Sequence, residues 1–215
     1  MQGRLSTQRK ARTGRGALLM VAAGALALSG CGSDQTQDEP APAGEGDGTA
    51  LATAQVQDGD GNEVGTAEFT EAEDGLRISV NLSDLEPGHH GLHVHEAGLC
   101  EPDSAAPDDP SETGDFLSAG GHIGAGEVEH PDHPGDLPSL LVNEDGTATM
   151  TFVTDRLSEE DLLDDDGAAL MVHSGPDNFA NIPERYAPDG PDDDTTGAGD
   201  AGDRAACGAI EAANG

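Results

Sequence analysis

The chain has 215 residues, with 43 Asp and Glu against nine Lys and Arg and a formal net charge of −34. That length allows one domain with additions, and the acidity excludes nucleic acid as a partner, because phosphate binding needs clustered Lys and Arg. Aromatic residues make up 2% of the chain, so any core must rest on aliphatic side chains and on other constraints.

The first segment reads as an export signal. Arg4, Arg9, Lys10, Arg12 and Arg15 form a basic region, followed by "ALLMVAAGALAL" at 17–28. That apolar run is too short for a membrane span but suits a signal peptide. It ends in "LSGC" (28–31), which resembles the lipobox of bacterial lipoproteins; the alternative is an ordinary secretory signal with an incidental Cys. The expected organisation is a signal over 1–30, a flexible tether over 31–48 behind a lipidated Cys31, and a single domain over 49–215. With Cys31 lipidated, Cys100 and Cys207 remain as a pair for an oxidising compartment. The signal takes five basic residues and no acids with it. The remainder sets 43 acids against four Arg, a net charge of −39. Such a balance fits a salt-rich habitat, where screening is strong; compositional bias of the genome is the alternative.

From residue 49 polarity alternates. "TALATAQVQ" (49–57), a "DGDGN" turn, "EVGTAEFTE" (63–71) and "LRISVNL" (76–82) predict two successive hairpins. Further strands are predicted at 90–96, 138–142, 146–154, 169–173 and 206–210, making eight. "SEEDLL" (158–163) predicts one helical turn with Ser158 as N-cap. Phe69, Val80, Leu82, Phe152 and Ile210 are the expected core. Residues 97–136 and 174–204 are long, strand-poor and rich in Gly, Pro and Asp. Loops of that length in a compact domain are functional and pinned, and Cys100, His122, His130, His133 and His173 supply the pins.

His93 and His95 alternate on a strand and so share a face. With His122 and His173 they form one candidate metal set, all imidazole, which suits copper and zinc. His122, His130, His133 and Asp136 form a second, spaced H-x7-H-x2-H-x2-D, in which a carboxylate completes a zinc site. His122 could serve both, one ring nitrogen to each.

These residues lie in "GHHGLHVHEAGLCEP" (88–102), "FLSAGGHI" (116–123), "HPGDLPSL" (133–140), "MVHSGPDNFANIPERY" (171–186) and "GDAGDRAACGAI" (199–210). In that order they resemble the copper–zinc superoxide dismutase family, in the lipoprotein branch of actinobacteria. The resemblance implies an all-β, eight-stranded Greek-key barrel, an immunoglobulin-like sandwich with two long functional loops. It implies copper on His93, His95, His122 and His173, and zinc on His122, His130, His133 and Asp136. It further implies a Cys100–Cys207 disulfide, catalytic roles for Arg204 and the bridging His122, and Asp177 as the carboxylate joining the two ligand sets. His90 matches a histidine bonded to backbone. His89 reads as a solvated strand end, Arg185 and Tyr186 as anchors of the second loop, and "DGPDDD" (189–194) as a solvated acidic tip. One departure stands out: only Pro131 and Asp132 separate two zinc histidines, where the family has a longer segment. The implied activity is dismutation of superoxide by a protein lipid-anchored outside the cell membrane. A non-catalytic copper-binding or copper-delivery module of the same fold is the alternative. The family includes monomers and homodimers, and the sequence does not choose between them.

Overall fold

The computed structural model describes residues 49–213. The expected signal, Cys31 and the tether lie outside the described residues. The alternating segments fold as predicted into β1 (Ala50–Asp58), β2 (Glu63–Ala72) and β3 (Gly75–Leu82), consecutive antiparallel neighbours. Their inward residues, among them Ala52, Ala54, Val56, Phe69, Ile78 and Val80, are fully or almost fully buried.

The predicted strand at 90–96 is two strands, β4 (Gly88–His90) and β5 (Leu92–His95), broken at Gly91. At the break the pairing partner changes from the strand at Leu140–Val142 to that at Ala168–His173, and no side chain fits there: a Cβ on Gly91 would lie 2.8 Å from that of Ala201. The Gly91 N–H donates to the Gly175 carbonyl (2.9 Å), and its carbonyl accepts from the His173 N–H (2.8 Å). β6 (Ser104–Ala105) and β7 (Thr113–Gly114) form a short ribbon inside the first long loop. After a 3-10 turn at Leu117–Ala119 come β8 (Leu140–Val142), β9 (Ala148–Thr154), α1 (Glu159–Leu162), β10 (Ala168–His173), α2 (Asp193–Ala198) and β11 (Arg204–Ala212). α1 has the expected Ser158 cap, with Asp161 closing a capping box.

One curled antiparallel sheet runs β5-β10-β11-β1-β2-β3-β9. β4 continues β5 and pairs with β8, and β8 lies against β9. Counting β4 and β5 as the single strand the sequence predicted, this is the eight-stranded Greek-key barrel. Phe69, Val80, Leu82 and Ile210 are core residues as expected. Phe152 is only half-buried, because β9 ends the sheet order and its face opens onto the groove beside Pro138. The acidic run 189–194 is exposed as expected, and its Asp192 also accepts the Thr195 N–H (3.0 Å) and caps α2. One other expectation fails. Tyr186 is 73% exposed beneath the Arg185 guanidinium, so it does not anchor its loop.

Candidate metal centre

β5 has β10 on one side and, on the other, two returns of the first long loop. Isolated bridges pair His95 with His122 and His93 with Asp136. The Ile123 N–H donates to the Val94 carbonyl (2.9 Å), and the Val94 N–H to the Gly135 carbonyl (2.8 Å). Backbone pairing thus places four side chains of a loop and a strand at one spot. His173 arrives from the end of β10.

The donor atoms of His93, His95, His122 and His173 lie within 4.8 Å of one another, and all four residues are buried. Among the described residues, His93 Nδ1 and the Nε2 atoms of His95, His122 and His173 have no hydrogen-bond partner. Buried polar atoms left alone cost free energy, so four such atoms converging form a candidate ligand set. The opposite nitrogens are tied. His93 Nε2 meets Asp177 Oδ2 (2.9 Å), His95 Nδ1 meets the Gly120 carbonyl (2.9 Å), and His173 Nδ1 meets the Gly202 carbonyl (3.1 Å). A ring whose Nδ1–H donates to a carbonyl must present an unprotonated Nε2, which fixes the ligating tautomer of His95 and His173.

The second set centres on Asp136 Oδ1. It lies 2.8 Å from His122 Nδ1, 3.0 Å from His130 Nδ1 and 3.3 Å from His133 Nδ1, and His133 Nδ1 lies 3.4 Å from His122 Nδ1. Ligands at zinc–nitrogen distances on a tetrahedron stand about 3.3 Å apart. The donors of His93, His122, His130 and Asp136 also lie within 4.8 Å of one another. The short Pro131–Asp132 segment therefore still lets His130 and His133 reach one carboxylate. Asp177 joins the sets: its Oδ1 meets His130 Nε2 (2.9 Å) while Oδ2 holds His93.

Burial lowers His95 well below the ordinary histidine range, His122 to about 4 and His173 to about 3. These rings are neutral at pH 7, the form that binds metal. Burial alone would lower His130 too, but hydrogen bonds to Asp136 and Asp177 outweigh it and raise the ring to about 9. Burial would raise both carboxyls, yet hydrogen bonds from the histidines hold Asp136 and Asp177 far below the usual range.

Arg204, at the start of β11, donates to the Phe116 and Gly120 carbonyls, each at 2.6 Å. It lines, with His173, a cleft of about 630 Å³ leading to the first set. Cys100 and Cys207 are joined in a disulfide. His90 bridges the His173 and Glu86 carbonyls (2.7 and 2.8 Å).

A profile of the family described as copper/zinc superoxide dismutase (SODC) matches residues 63–210. The chain belongs to the copper/zinc superoxide dismutase family. A superoxide dismutase of Mycolicibacterium paratuberculosis is 45% identical over 161 residues, covering 71% of this chain and 70% of that one. The Escherichia coli K12 enzyme is 38% identical over 157 residues, 70% and 80% of the two chains. In structure, the Cu/Zn superoxide dismutase of Brucella abortus superposes with a TM-score of 0.55 at 33% identity, over 74% of this chain and 99% of that one. High similarity to mycobacterial proteins is consistent with the actinobacterial branch.

Both donor sets fit the family's metals: all-imidazole donors suit copper, and three imidazoles with a carboxylate suit zinc. The structure brings together the residues that the sequence put forward as donors, with Asp177 between the two sets, but two groups beside them were not foreseen. Gly199, after α2, and Arg156, after β9, both touch the second set or its loop. The N-cap pattern of Asp192 three residues before Thr195 could have revealed α2 and hence Gly199. Arg156 had no local signal.

Proposed function

We propose that this protein dismutates superoxide at copper held by His93, His95, His122 and His173, with zinc on His122, His130, His133 and Asp136. We further propose that it works outside the cell membrane, held there by lipid on Cys31. The observation that carries the catalytic reading is the convergence of four unpartnered imidazole nitrogens at the end of a cleft lined by Arg204. Bound copper supplies the one-electron exchange by which two superoxides and two protons become one dioxygen and one hydrogen peroxide.

The chain's own residues do the rest. Arg204 offers a fixed cation to a small anion, its orientation set by two carbonyls. His122 has Nε2 in the first set and Nδ1 against Asp136, so Nε2 is where a proton is held between the half-reactions. Asp177 keeps His93 and His130 in register. A copper carrier would need the four donors but not the cleft with its arginine, which favours the enzyme.

The cleft also carries Glu112, Asp115, Asp194, Asp200 and Asp203. These carboxylates, on a chain this acidic, repel an anionic substrate over a Debye length of about 10 Å at 0.1 M salt. The expected result is a second-order rate that rises several-fold as salt is raised from low ionic strength. A rate that falls steadily with salt, read by pulse radiolysis, contradicts it.

The proposal is tested by superoxide decay in membrane and soluble exported fractions of cells producing the parent or Cys31→Ser, with a copper chelator present. Chelator-resistant decay in membranes that moves to the soluble fraction in Cys31→Ser supports both parts. Absence of such decay overturns the activity, and its retention in Cys31→Ser membranes overturns the anchor.

A further inference from the structure

His130 and His133 must both face Asp136 although Pro131 and Asp132 alone separate them. A run this short has little freedom of its own, so its backbone must be held from outside. The group that does this comes from another part of the barrel. Arg156 Nη1 donates to the Pro131 carbonyl (2.7 Å) and to the His133 carbonyl (3.3 Å), and Nη2 lies 3.5 Å from Asp132 Oδ1. One guanidinium thus touches acceptors on three consecutive residues.

We propose that Arg156 is the positioning residue of the second donor set, clamping the Pro131–His133 run so that His133 Nδ1 stays on Asp136. This rests on the reading of that set as a zinc site. The Arg156–Asp132 pair is solvent-exposed, with side chains 42% and 76% accessible, and such pairs contribute little. The two carbonyl bonds carry the argument. Arg156 is itself well fixed. It lies two residues past the end of β9, its N–H donates to Thr154 Oγ1 (3.2 Å), and the next residue, Leu157, is buried in the core. The inner side of the run is held by the His133 N–H on Asp136 Oδ2 (3.0 Å) and by His133 Nε2 against the Val128 carbonyl (3.0 Å). Arg156 supplies the outer side, linking the loop to the sheet. A planar fork can span several acceptors at once, whereas an ammonium acts as a single point.

The test uses full-length metal-loaded protein as parent, Arg156→Gln and Arg156→Lys. Zinc release to a chromogenic chelator is followed, together with copper content and the unfolding midpoint of metal-free samples. Groups that orient metal ligands change affinity by about ten- to a hundred-fold. The expected result is zinc release faster by about that factor in Arg156→Gln, with Arg156→Lys between it and the parent. Copper content and the metal-free midpoint should match the parent. Zinc release within about twofold of the parent overturns the proposal, as does equal loss of both metals with a lowered metal-free midpoint, which marks a general folding role. A parent that holds copper but no zinc removes the zinc reading itself, and the proposal with it.

Discussion

Replacing Cys100 and Cys207 by serine is expected to cost about 4–5 kcal/mol of stability, because the bond closes a loop of 107 residues. Few single changes in a core whose fully buried aromatics are Phe69 and Phe116 should cost more. The loss should extend to activity. The disulfide ties the first long loop to β11, and that loop supplies both carbonyls that orient Arg204. The Gly120 carbonyl also receives His95 Nδ1. Freed at Cys100, the loop no longer fixes the guanidinium or the His95 ring. Urea unfolding of metal-free protein checks the first effect and superoxide decay of copper-loaded protein the second. A stability change below about 1 kcal/mol would show that the loop holds itself and that closure entropy matters little here.

Gly199→Ala should uncouple the two donor sets. Gly199 ends α2 at φ 65°, where an L side chain costs roughly 1 kcal/mol. The larger effect is steric. A Cβ there would lie 2.6 Å from His130 Nε2 and closer still to Asp177 Oδ1. The added methyl must push Asp177 off His130, and with it the carboxylate that holds His93. Zinc affinity should fall by about ten- to a hundred-fold, and copper affinity should fall as well, since His93 belongs to the first set. Loss of both metals separates this substitution from Arg156→Gln, which should release zinc alone. Metal analysis after dialysis against a chelator reads the difference, and unchanged retention of both metals would show that Asp177 can shift without consequence.

The sequence made β1 to β3 legible because most of their apolar residues alternate, without a break through Leu76, Ile78, Val80 and Leu82 of β3. It made the metal donors legible because His93 and His95 share a face and the remaining donors sit in motifs resembling the family. What it hid depends on contacts between distant segments. The break between β4 and β5 falls at Gly91, where Ala201, some 110 residues away in sequence, leaves no room for a side chain. α2 is six residues long and lies in an acidic run that reads equally well as a solvated tip. Phe152 has an apolar partner pattern but lies on the last strand of the sheet order. Arg156 acts on Pro131 and His133 through a tertiary fold that no local pattern encodes.

The central claim is that superoxide reacts at the first histidine set under the Arg204 guanidinium. Superoxide decay should therefore be measured with purified, copper-loaded parent and Arg204→Ile at equal copper content, in the presence of chelator. The account predicts rapid decay by the parent and a fall of about tenfold or more in Arg204→Ile with copper retained, since a positioned charge beside the reacting anion has been removed. Equal rates in the two proteins, or tight copper binding by a parent that does not speed the decay, would contradict it and leave a copper carrier on this fold.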